Sequence, residues 1–168
     1  TTTVGIGPYV ACTGFRNPAL LAKMAATLDE VSDGRLVLGL GSGVPERDTS
    51  WHAYGFDAAR PIARYAEAVE VVTRMLREPA LTFDGEFFRT DDAQIVPRGA
   101  GDLAAAGPPV WVAGLGDRTS RVAAAFGDAI NVNLPLCGPA DMDRVVDIAA
   151  RACTAVGRDP ATLELTGW

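Results

Sequence analysis

The stretch Arg35-Leu36-Val37-Leu38-Gly39-Leu40-Gly41-Ser42-Gly43-Val44-Pro45-Glu46 decides the fold. A short apolar run ends in three glycines at alternate positions. Such a run reads as a strand buried on both faces, the pattern of a parallel sheet. The missing side chains leave room for something flat or charged to approach the backbone at the strand's C-terminal end. In parallel α/β folds that end is where ligands bind.

Working outward, strand and helix patterns alternate. Residues 4–10 read as a strand. Asn17-Pro18 reads as a helix start, with Asn17 as cap and Pro18 at the first helical position. Leu20, Leu21, Met24, Ala25 and Leu28 recur at helical spacing and are expected to be its buried face. Ser32-Asp33-Gly34 ends it, and residues 35–40 form the next strand. A loop is expected over 42–58, then a long amphipathic helix over 60–77 with Glu67 and Glu70 ion-paired to Arg64 and Arg74. Phe83-Asp84-Gly85-Glu86-Phe87 predicts a hairpin turning at Asp84-Gly85. Residues 97–109 read as a surface loop. Strands at 109–113, 129–134 and 163–167 alternate with helices at 119–126 and 139–156. Helices separating strands make the sheet mostly parallel. Four strands and part of a fifth are too few for a closed eight-stranded barrel, which takes about 250 residues.

The chain has 168 residues, 48% of them hydrophobic. Its net charge of −6, from 15 basic and 21 acidic residues, argues against nucleic-acid or anionic-membrane partners. Three cysteines without a CxxC pair indicate neither a disulfide framework nor a zinc ribbon, and no other metal-ligand cluster assembles. A reducing cytoplasm is the simplest setting. Both ends are abrupt, Thr1-Thr2-Thr3 entering a strand at once and Leu165-Thr166-Gly167-Trp168 stopping within one. They read as the ends of a piece of a longer chain.

Three segments together carry a family likeness. They are Arg16-Asn17-Pro18-Ala19-Leu20-Leu21-Ala22-Lys23-Met24-Ala25-Ala26-Thr27-Leu28-Asp29, Ser32-Asp33-Gly34-Arg35 leading to Gly39-Leu40-Gly41-Ser42-Gly43, and Pro108-Pro109-Val110-Trp111-Val112-Ala113-Gly114. The succession resembles the bacterial luciferase-like flavin monooxygenase superfamily, and within it the branch that uses the deazaflavin coenzyme F420. The resemblance implies a partial TIM barrel covering about strands 3 to 7, as a single domain with an insertion hairpin at about 79–107. It implies a non-prolyl cis peptide at Tyr9–Val10 backing a flavin or deazaflavin ring. It also implies cofactor contacts at Ala113, Gly114 and Leu115, and at Asn133 where the family commonly binds phosphate. The helix beginning near Asp117-Arg118 offers N–H groups and a guanidinium to an anion.

Gly39, Gly41 and Gly43 admit two readings: a bare surface for the ring, or a tight turn in a crowded barrel mouth. Their spacing is not the dinucleotide fingerprint G-x-G-x-x-G. His52, the single histidine, lies in the loop that follows. It is a candidate proton-transfer residue, or a surface or capping histidine. Glu46 and Asp48 read as solvated or capping.

The resemblance implies an oxidoreductase moving a hydride between F420 and a small organic substrate. An FMN-dependent monooxygenase is the first alternative. An inactive half-barrel that needs a partner or further strands is the second, because open sheet edges need covering. A homo-oligomer fits either reading.

Overall fold

A computed structural model describes residues 3–96, 107–133 and 141–167. The chain enters through residues 4–10 and its first regular strand, β1, is Ala11–Cys12. Ile6 bridges Leu36, but Ala11 pairs with Leu40. The five steps from Ile6 to Ala11 therefore face only four on the neighbouring strand, and one extra residue is accommodated at Gly7-Pro8-Tyr9-Val10. The expected strand over 4–10 is thus interrupted. Pro8 has no N–H to give to a ladder, and the Tyr9–Val10 peptide is cis.

Helix α1, Pro18–Val31, starts where Asn17 accepts from the N–H groups of Ala19 and Leu20 at 2.9 and 3.4 Å. Its buried face overlaps the expected one only at Leu21 and Ala25. Leu21, Ala22, Ala25 and Ala26 are buried, whereas Leu20, Met24 and Leu28 are 56%, 40% and 50% exposed. The small alanines let the helix lie close to its neighbours, and the long side chains one step around point outward. The turn into β2, Leu38–Gly41, is built by Ser32, which donates to Asp29 O, and by Arg35, whose guanidinium donates to Ser32 O and Val4 O.

The expected loop over 42–58 contains a helical turn, α2, Ser50–Ala53, which buries Trp51. Helix α3, Pro61–Arg77, then leads to a hairpin of β3, Leu81–Asp84, and β4, Arg89–Ala93. Its connection is the four residues 85–88, closed by Gly85 N donating to Phe88 O at 3.0 Å, rather than a two-residue Asp-Gly turn. Glu67 accepts from the backbone N–H groups of Glu86, Phe87 and Phe88 and clips this turn to α3. It is not ion-paired with Arg64, which pairs with Asp57; Arg74 pairs with Glu70 and Glu78.

Strand β5, Val110–Ala113, α4, Asp117–Phe126, β6, Ala129–Val132, α5, Met142–Val156, and β7, Glu164–Gly167, complete the described chain. The loop expected at 97–109 and the end of the strand expected at 129–134 fall largely outside the described residues. The sheet runs β1-β2-β5-β6-β7, every pair parallel. Repeated β-α-β units in one direction are the build of a (β/α)8 barrel, of which five strands are present: the partial barrel. Leu38, Leu40, Val110, Val112 and Ile130 share one core with Leu21, Val69, Val72, Ala123 and Val145 from the helices. The alternate strand positions, Gly39, Gly41, Trp111, Ala113 and Asn131, face the opposite side of the sheet.

Candidate functional site

A cavity of about 380 Å³ opens at the carboxyl ends of β5 and β6 against the irregular segment before β1. Six of the positions singled out in the sequence line it: Tyr9, Val10, Ala113, Gly114, Leu115 and Asn133. Asn131, Val132, Asp141 and Arg144 complete the lining. Its volume is within the ~300–1,000 Å³ usual for small-molecule sites, and apolar walls with a few polar groups are the usual chemistry of such sites.

Each wall has a local cause. Gly114 has φ +133, and a side chain there would bring its Cβ to 2.7 Å from Thr119 Oγ1. The chain can therefore turn from β5 into α4 directly under the cavity. Tyr65 is fully buried in α3 and its hydroxyl lies 2.9 Å from Leu40 O and 3.1 Å from Ala113 O. It ties the ends of β2 and β5 together. Burial pushes its phenol far above the ordinary tyrosine pKa, with a weaker opposing effect from its hydrogen bond to the Ala113 backbone, so it is a fixed donor and not a proton source.

Asn131 is 2% exposed. Its amide Nδ2 donates to Tyr9 Oη at 2.9 Å and to Thr166 Oγ1 at 3.0 Å. Asn133 Oδ1 is buried and has no hydrogen-bond partner among the described residues. Arg144 lies in the first turn of α5, where a cation opposes the helix dipole. It forms no ion pair among the described residues.

The three glycines behave differently from the bare-surface reading. A Cβ on Gly39 would sit 2.5 Å from Pro8 O and 3.0 Å from Val10 Cγ1, and one on Gly41 would collide with the other Val10 methyl. Gly43, with φ +69, faces Cys12 Sγ and the Trp51 ring. The space beside them is filled by the protein itself, because the extra residue near Pro8 needs room. Gly39 and Gly41 stand behind the Tyr9–Val10 wall, Gly43 packs against Cys12 and Trp51, and none of the three is among the cavity residues.

His52 is exposed on α2 and is not among the cavity residues. Burying Trp51 turns its neighbour outward, since successive helical residues are about 100° apart. His52 therefore points to solvent and lies outside the lining of this cavity. Asp48, just before α2, accepts from Ser50 N at 2.9 Å, and hydrogen bonds from the Ser50 side chain and backbone hold its carboxyl below the usual range. The guanidinium at the cavity comes from Arg144 and not from Arg118. Asn131, Thr166, Asp141 and Arg144 were not among the residues picked from sequence. Signals mark two of them, Asn131 as a polar residue inside the apolar run Ala129-Ile130-Asn131-Val132 and Arg144 as a cation at a helix N-terminus.

Comparison with known proteins agrees with this architecture. The F420-dependent glucose-6-phosphate dehydrogenase of Intrasporangium calvum is 35% identical over 132 residues, covering 76% of this chain. The chain spans 38% of that relative's length. Among solved structures, an F420-dependent secondary alcohol dehydrogenase in complex with an F420-acetone adduct superposes with a TM-score of 0.79 at 21% identity, covering 98% of this chain and 48% of that one. A riboflavin lyase with modified FMN and substrate riboflavin gives a TM-score of 0.78 at 18% identity, covering 99% and 41%. The luciferase-like monooxygenase family matches residues 1–167, and the chain belongs to it.

Proposed function

We propose that this chain is the cofactor-holding part of an oxidoreductase whose cavity takes the ring of coenzyme F420, with FMN as the alternative. The reading is carried by one observation: Tyr9, Val10, Ala113, Gly114, Leu115 and Asn133 meet around a single cavity. The cavity suits such a group. Val10, Ala113 and Leu115 offer apolar walls to a flat ring and exclude water from it. The orphaned Asn133 Oδ1 calls for a ligand N–H or hydroxyl. Arg144 offers a cation to an anionic tail. Bound F420 would supply the hydride, passed to or from a small organic substrate. The F420-dependent relative supports F420 over FMN.

Titration of the full-length protein with F420 and with FMN tests the reading. Tight binding of F420 is expected. Binding of FMN alone would replace the F420 assignment with the flavin one, and binding of neither would overturn both.

The hairpin β3–β4 is read as part of the family insertion. A cytoplasmic location accords with the reading, and no helix among the described residues is long and apolar enough to cross a membrane. A second reading, that these residues act only with further chain or a partner subunit, is favoured by the exposed Leu20, Met24 and Leu28 on α1. Gel filtration with turnover of the 168 residues alone tests it; a monomer as active as the full-length protein would refute it.

A further inference from the structure

Asn131 does more than line the cavity. In the sheet order β1-β2-β5-β6-β7, two strands separate it from the segment that carries Tyr9. The bond from Asn131 Nδ2 to Tyr9 Oη therefore crosses the concave side of the sheet, between residues 122 apart in sequence. The direction of that bond follows from its neighbours. Thr166 Oγ1 donates its one proton to Ile130 O at 3.3 Å, so toward Asn131 it can only accept. The amide must then present Nδ2 on that side. Its second N–H reaches Tyr9 Oη, which accepts. Asn131 is thus a two-donor bridge whose orientation is set by Thr166 on β7 and whose other end holds the Tyr9 ring. Tyr9 is 39% exposed, and the bond from Asn131 anchors its hydroxyl from across the sheet.

We propose that Asn131 is a positioning residue: oriented by Thr166, it holds Tyr9, and with it the Tyr9–Val10 wall, in the geometry that receives the cofactor ring. The inference rests on the cavity being the cofactor site. It concerns binding and wall order rather than the chemistry of transfer.

A double-mutant cycle in the full-length protein tests it, with dissociation constants for F420, FMN and riboflavin read by fluorescence. Asn131→Leu keeps the volume and removes both donors. It should weaken whichever probe the wild type binds by about tenfold, as should Tyr9→Phe, within the range of coupled polar pairs. The double variant should be no weaker than either single one, because each removes the same bond. Thr166→Val should lose part of the affinity and Thr166→Ser should restore it. Without any ligand, side-chain amide NMR should show one Asn131 N–H shifted by Tyr9→Phe and the other by Thr166→Val. Additive losses in the double variant, wild-type affinity in Asn131→Leu, or Asn131 amide signals indifferent to Tyr9→Phe would each overturn the inference. A wild type that binds none of the three probes overturns the cofactor reading and the inference with it, whereas a binding wild type with an additive cycle overturns the inference alone. Tyr9→Phe, which removes one oxygen from a part-exposed ring, keeps the test valid should Asn131→Leu not fold.

Discussion

The two ends of the parallel sheet use polar residues in opposite ways. At the end where strands begin, arginines are consumed by the chain itself. Arg35 donates to Ser32 O and Val4 O, Arg77 pairs with Asp128, and Arg158 donates to Ala124 O, Gly127 O and Thr162 O. At the end where strands finish, Arg144 has no ion pair among the described residues, and Asn133 Oδ1 is orphaned. Satisfied polar groups latch loops to strands, and unsatisfied ones await a ligand. Buried polar atoms without a hydrogen-bond partner are not confined to the cavity, since Trp51 Nε1, Thr73 Oγ1 and Ser120 Oγ are others, and an exception with a charged group lies at the beginning end. Asp29, at the beginning end, keeps Oδ1 buried without a partner.

The comparison breaks most visibly at Gly39, which links the two ends through β2. Gly39→Val would drive a side chain into Pro8 O and Val10. A loss of about 3 kcal/mol in urea unfolding is expected, together with loss of ligand affinity. A stable, fully binding variant would show that the wall does not need this close approach. Arg158→Ala should separate the ends. It strips hydrogen bonds from three carbonyls and should lower stability by about 2 kcal/mol, with F420 and FMN affinities unchanged by calorimetry. Tyr65→Phe removes the one hydroxyl proton that Leu40 O and Ala113 O share, and stability should fall by about 1.5 kcal/mol, read as a lower denaturation midpoint. Arg144→Ala should leave the thermal midpoint where it is while weakening FMN by about tenfold and uncharged riboflavin hardly at all. Equal losses for both would remove the anion role.

The smallest effect tests the exception. Burial raises the Asp29 carboxyl pKa above its ordinary value, opposed by a hydrogen bond from the Leu36 backbone. The folded state therefore favours the protonated acid. Wild-type stability from this group is greatest below the ordinary carboxylate range and is lost as pH rises through the raised value. Asp29→Asn should match the wild type near about pH 4 and gain on it toward about pH 7 in paired urea titrations. A gap that does not change with pH would mean the carboxyl is not strained by burial.

Legibility in the sequence differed between local and distant features. The Asn17 cap, the turn at Ser32-Asp33-Gly34 and the β-α alternation depend on residues a few positions apart, and each is where the sequence places it. The buried face of α1 keeps Leu21 and Ala25 of the expected set but not Leu20, Met24 and Leu28, because both its stripes are apolar. Spacing cannot choose between Leu20-Met24-Leu28 and Ala22-Ala25-Ala26, whereas close packing chooses the small residues. His52 and Trp51 show the same limit at a single step: the burial of one turned the other to solvent. Cavity positions at the ends of β5 and β6 were implied by the family resemblance, and parallel sheets put ligands at such strand ends.

The sequence by itself determined the parallel α/β order, the helix boundaries and the strand ends that meet at the cavity, since periodicity, caps and turn residues act over one or two turns of chain. Only the tertiary structure decided what fills the space beside Gly39 and Gly41, which arginine reaches the cavity, and that Asn131 grips Tyr9. Those outcomes depend on the curvature of the sheet, which brings residues together across intervening strands and leaves no trace in local spacing.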